Sequence, residues 1–214
     1  MSNILLIGHS FVNRYRTHLL EFNGLGPRTS QHFDFGATIG LPLEHVYVCG
    51  RSGLGTSSND LDFIRQKVTS FCPDVVILEL GTNDLASSNV SGAPDFIFAN
   101  SVADKVINFA EELRYRWGVR SVVSCLVVKR RRCRGRTVES EFDRRRCRFN
   151  ARIKAAAAGR PYLRAYKHDR TVLVNLSSRY CADDIHITSR RGMELYNHSM
   201  RKAVTLGLGV LRNN

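Results

Sequence analysis

The chain has 214 residues, 43% of them hydrophobic, with 32 Lys and Arg against 19 Asp and Glu. That length suits a single domain over 1–214 with a full core, and no apolar run approaches the roughly 18 residues that would span a bilayer. The formal net charge of +13 is unevenly placed: residues 129–154 hold twelve Lys and Arg against Glu139, Glu141 and Asp143, so +9 of it sits there. Such a block suggests nucleic acid or another polyanion as partner, or a solvated loop and helix face. Composition alone does not choose between them.

The first residues carry no basic n-region, and Ile4–Ile7 is too short an apolar stretch for a signal peptide. The start reads instead as a first strand, Ile4–Gly8, of an intracellular protein, cytoplasmic or nuclear. A domain that begins so abruptly is expected to be a piece of a larger protein. A helix follows over about 11–22. Residues 23–43 are rich in Gly and Pro and read as a long loop, with Phe33 and Phe35 expected in the core or on the wall of a pocket. His45–Cys49 is strand two. Leu61, Ile64 and Val68 then recur at helical spacing until Pro73 stops the helix. Val75–Leu80 reads as the continuous apolar run of a buried parallel strand. Val102, Val106, Phe109, Leu113 and Trp117 form a helical stripe that ends at Gly118. Ser121–Val128 is strand four.

The basic segment comes next. Lys129–Arg136 lacks an apolar period and reads as a loop. From Val138 the pattern is helical, with Phe142, Phe149, Ile153 and Ala156 as the inward stripe. Arg144, Arg148 and Arg152 recur every four residues along one flank. Thr171–Leu176 is assigned as strand five, and a last helix begins near Ser189 with Met193, Tyr196 and Met200 inward. Strands alternating with helices predict an α/β fold: a doubly wound, flavodoxin-like three-layer sandwich around a five-stranded parallel sheet.

The six cysteines are Cys49, Cys72, Cys125, Cys133, Cys147 and Cys181. None has zinc-ligand spacing. Cys49 and Cys125 lie in strand-like runs and read as core thiols, while Cys133 and Cys147 flank the basic segment and are close enough in sequence to pair.

Three short motifs stand at or near strand ends, where a parallel sheet puts its chemistry. Gly-His-Ser at 8–10 places Ser10 at a helix start, either as a plain cap or with its N–H facing developing negative charge. Gly-Thr-Asn-Asp at 81–84 is a turn, or a turn whose Asn83 amide donates to an oxyanion. In Asp-Asp-Ile-His at 183–186, Asp183 precedes His186 by three residues. It is therefore able to accept from one ring nitrogen and leave the other free to take a proton from a serine.

In this order and context the motifs resemble those of the SGNH hydrolases, also called GDSL-type esterases, and the resemblance spans nearly the whole chain. It implies a serine esterase with Ser10 as nucleophile, His186 as general base and Asp183 orienting it. The implied oxyanion hole comprises the Ser10 N–H, a glycine N–H and the Asn83 side chain. Gly53, in the turn after strand two, is the best glycine candidate, and Gly55 is the fallback. His9 departs from the family's usual Gly-Asp-Ser, which is expected to alter local hydrogen bonding rather than abolish activity.

No metal or cofactor is implied. The expected substrate is a small acyl ester, acetyl foremost, or an O-acetylated sugar. The alternative function is a nucleic-acid-binding module on the same fold with an idle or accessory site. It would use Lys129, Arg130, Arg131, Arg132, Arg134, Arg136, Arg144 and Arg148, a setting similar to the esterase domains of some animal retrotransposons.

Overall fold

The computed structural model describes residues 1–26, 29–30, 32–87, 93–130, 137–168, 187 and 189–212. At its centre is a five-stranded, all-parallel sheet in the order β2-β1-β3-β4-β5. The strands are β1 (Asn3–Gly8), β2 (His45–Gly50), β3 (Val75–Glu79), β4 (Ser121–Cys125) and β5 (Leu163–Tyr166). Around them lie α1 (Ser10–Phe22), α2 (Ser58–Phe71), a short α3 (Thr82–Ala86), α4 (Asp95–Arg116), α5 (Glu139–Ala158) and α6 (Arg190–Arg212). The predicted doubly wound architecture is the one observed.

Apolar side chains alternate between the two faces along each central strand. Ile4 and Leu6 of β1 join Val12, Tyr15 and Leu19 of α1 and Tyr196, Met200 and Val204 of α6 in one core. Leu5 and Ile7 point the other way, to Ile64 and Val68 of α2, Val106 and Phe109 of α4, and Phe149 and Ile153 of α5. A strand covered on both faces has no solvent side, so its sequence reads as an unbroken apolar run. Phe35 is fully buried in the first core, with the Phe33 ring against it at 4.9 Å.

Three local features differ from the sequence reading. The edge strand β5 was not anticipated: Arg164 interrupts its four residues, and only Leu163 and Tyr166 are buried. The strand expected at Thr171–Leu176 lies outside the described residues. β4 ends at Cys125 rather than Val128, because beyond that point a side chain takes over the ladder. The Asn150 amide of α5 accepts from the Val127 N–H and donates to the Val127 carbonyl, each at 2.9 Å. Finally, the run Val75–Leu80 contains one buried acid, Glu79.

Among the described residues, no helix is long and apolar enough to cross a membrane. Cys49 and Cys125 are buried, and burial pushes the Cys49 thiol up to about 11 despite Lys67 and Arg16 nearby. Cys133 and Cys181 lie outside the described residues.

Candidate active site at the carboxyl edge of the sheet

Gly8, Gly50 and Glu79 are register partners at the carboxyl ends of β1, β2 and β3, so the segments that follow these strands leave side by side. Gly8 is required there for close approach: a Cβ on it would stand 2.4 Å from the Glu79 Cβ and 2.8 Å from Val12. Ser10 follows as the first residue of α1 and is 8% exposed. Ser10 is not the cap of that helix. His9 holds that position, and its Nδ1 accepts from the Phe11 N–H at 3.4 Å.

The turn after β2 carries Gly53 with φ +80°, a conformation that favours glycine, although a Cβ there would meet nothing within 4 Å. Asn83, in α3, donates its side-chain amide to the Leu54 carbonyl at 2.9 Å. Beside it, the Asp84 carboxylate accepts from the Thr56 N–H (2.9 Å) and hydroxyl (2.7 Å). These bonds lace the turn after β2 to the motif after β3. The N–H of Gly55, the fallback donor, is engaged by Asp60 at 3.1 Å. Ser10, Gly53 and Asn83 thus occupy one edge of the sheet. Asp183 and His186 lie outside the described residues.

Directly beneath this edge is a polar cluster that the sequence reading missed. The Glu79 carboxylate, 6% exposed, receives the His168 Nε2 at 2.7 Å, the Tyr196 hydroxyl at 3.0 Å and the His9 Nε2 at 3.4 Å. His168 Nδ1 lies 3.0 Å from the Ser199 hydroxyl, which lies 3.1 Å from that of Tyr166. Burial alone would push the Glu79 carboxyl up. The charge and hydrogen bond of His168, with the hydrogen bond of His9, outweigh it and hold the group well below the usual carboxylate range. The Cys125 thiol and Tyr196 phenol are pushed well up, first by burial and then by the Glu79 charge. A lone acid inside an apolar strand run was the one available signal for this cluster.

Glu79, Cys125 and His168 also bring three ligand-type atoms within 4.8 Å of one another. Ligands on a tetrahedral zinc with bonds of about 2.0–2.1 Å stand about 3.3 Å apart. The 2.7 Å between Glu79 and His168 is instead that of a charge-assisted hydrogen bond, so these two groups are joined directly, and the Cys125 thiol beside them is held protonated by burial.

The basic segment divides in two. Arg131, Arg132, Arg134 and Arg136 lie outside the described residues. Lys129 is half-exposed, 3.8 Å from Glu139, whereas Arg130 is buried with its guanidinium over the rings of Phe11 (5.9 Å) and Phe142 (6.0 Å). On α5 the four-residue arginine repeat faces α4: Arg144 meets Asp95 at 3.0 Å, Arg148 meets Asn100 at 3.3 Å and Arg152 meets Asp104 at 2.8 Å. Arg145 is buried. It pairs with Asp95 and Glu141, donates to the carbonyls of Leu85 and Ser87, and so ties α5 to the end of α3.

No family profile matches this chain, and no curated protein sequence does. Solved structures do. Axe2, an acetylxylan esterase from Geobacillus stearothermophilus, superposes with a TM-score of 0.62 at 14% identity, over 95% of this chain and 94% of that one. The catalytic domain of the peptidoglycan O-acetyltransferase OatA from Streptococcus pneumoniae gives 0.60 at 14% identity, over 97% and 95%. A protein described as a GDSL-like lipase from Parabacteroides merdae gives 0.61 at 17%, over 95% of each. The chain therefore has the fold of the SGNH/GDSL-type esterases and acetyltransferases.

Proposed function

We propose that the protein is a serine-dependent enzyme acting on ester bonds, an acyl or acetyl esterase or an acyl transferase, with Ser10 as nucleophile. The observation that carries this reading is the convergence of Ser10, the Gly53 turn and the Asn83 amide on one sheet edge, laced by the Asn83–Leu54 bond. The fold shared with an acetylxylan esterase and an O-acetyltransferase supports it.

The mechanism follows from the chemistry of these groups. The Ser10 Oγ attacks the ester carbonyl while His186, oriented by Asp183, takes the hydroxyl proton. The tetrahedral oxyanion is held by the N–H groups of Ser10 and Gly53 and by the Asn83 amide. The Ser10 N–H is one of the first-turn donors of α1, at the positive end of the helix dipole. The intermediate collapses, the alcohol leaves with the proton from His186, and water or a second alcohol then takes the acyl group from Ser10. The test is a series of chromogenic acetate and longer esters offered to wild type and Ser10→Ala. Turnover in the first and none in the second is expected; equal rates overturn the reading.

A second reading concerns an anionic ligand. A cavity of about 540 Å³ beyond β4 and β5 is lined by Lys129, Arg146, Lys154 and Lys167, with His168 on its wall and Val127 in its apolar part. If a polyanion is held there, its retention is expected to fall steeply with salt. Binding that survives removal of Lys154 and Lys167 counts against this site.

A further inference from the structure

The described cluster under Ser10 has a direction. His9 Nδ1 accepts a hydrogen bond from the Phe11 N–H, so it carries no proton, and the ring proton must stand on Nε2. That nitrogen faces Glu79 at 3.4 Å. Glu79 thus selects the tautomer in which His9 is able to act as a helix cap. The groups facing this carboxylate come from four places: His9 after β1, Cys125 at the end of β4, His168 after β5 and Tyr196 on α6. Donors reach it from three of them, and none of these groups is a second carboxylate.

We propose that Glu79 is a positioning residue for Ser10, and that Glu79 and His9 work as a single couple. The buried carboxylate holds the imidazole, the imidazole caps α1, and the cap sets the turn on which the nucleophile stands. Ser10 lies between the capping side chain and the amide it caps. A shift of the His9 ring is therefore transmitted to the Ser10 hydroxyl and N–H across a single residue. The role assigned to Ser10 rests on the esterase reading above; the His9–Glu79 couple does not.

Asp at position 9 is the informative variant, because aspartate is itself a good helix cap. His9→Asp keeps an acceptor for the Phe11 N–H but sets a second carboxylate against Glu79 in a buried site, where two like charges disfavour joint ionisation. The kcat of His9→Asp is expected to fall by roughly 10²-fold at neutral pH, the scale of a 1 Å misplacement, with KM little changed. Its pH profile is expected to shift towards acid, where one proton is shared by the two groups. Glu79→Gln is expected to lose about tenfold, since one amide replaces a carboxylate that received three donors. The double variant His9→Asp/Glu79→Gln lets the new amide donate to the new carboxylate, and should recover most of the activity lost in His9→Asp.

Hydrogen exchange at the Phe11 amide reports the couple without turnover. It should quicken in Glu79→Gln while amides in the middle of α1 stay protected. A His9→Asp variant with wild-type kcat and pH profile overturns the proposal, as does a double variant no better than His9→Asp. If wild type turns over no ester, the esterase reading falls, and the exchange rate at Phe11 still decides the couple. Unchanged exchange there refutes it.

Discussion

Two regions of the molecule handle charge in opposite ways. At the carboxyl edge of the sheet one buried carboxylate, Glu79, receives a donor each from His168, Tyr196 and His9, and almost nothing there touches water. On the α4–α5 face the arginines meet acids or an amide one by one, mostly in contact with solvent: Arg144 with Asp95, Arg148 with Asn100, Arg152 with Asp104. The first arrangement confers geometry, because removing any partner leaves a buried polar group unsatisfied. The second mainly neutralises charge, and exposed pairs of this kind contribute little each. Arg145 belongs to the second region by sequence and to the first by burial.

The contrast can be broken from several directions. The largest effect is expected at the edge: Ser10→Ala should lower kcat on a chromogenic ester by roughly 10⁶-fold, as for other serine nucleophiles. Asn83→Ala should cost roughly 10²–10³ in kcat through loss of an oxyanion donor, and full activity in that variant removes Asn83 from the site. Arg145→Ala is expected to destabilise the fold by about 3 kcal/mol, because it strands Glu141 and the Leu85 carbonyl and leaves Asp95 with Arg144 alone; denaturant unfolding measures this.

Acid titration gives a smaller, graded effect. The folded Glu79 carboxyl titrates below its ordinary value of 4.5. Its contribution to stability is therefore complete above that value and is lost as pH falls below it towards the folded value. Unfolding midpoints of wild type and Glu79→Gln should converge as pH falls below 4.5; a gap that stays constant there argues against an ionised Glu79. Arg152→Ala, on a half-exposed pair, should change stability by only about 0.5 kcal/mol, and less in high salt.

What the sequence disclosed follows the same division. β1 and β3 were legible because central parallel strands are buried on both faces and read as apolar runs. The inward stripe of α5 was legible because Phe142, Phe149 and Ile153 recur at helical spacing. β5 was not, since an edge strand of four residues with Arg164 inside it shows neither pattern. The arginine repeat of α5 was seen, but its meaning was not: a four-residue period marks a face without saying whether water, phosphate or another helix lies opposite. The place of Ser10, Gly53 and Asn83 just after β1, β2 and β3 was legible from local motifs at strand ends. The cluster beneath them joins residues from β3, from the ends of β1 and β5, and from α6. Only Glu79, an acid out of place in an apolar run, marked it in the sequence.

An activated Ser10 nucleophile, as proposed, is open to covalent labelling. Wild-type protein treated with a phosphonofluoridate ester, then digested and mapped by mass spectrometry, should carry one adduct, on Ser10, that is absent from native Ser10→Ala and lost when wild type is unfolded first. Adducts spread over other serines, or labelling of Ser10 no faster than in the unfolded chain, would rule out Ser10 as the nucleophile.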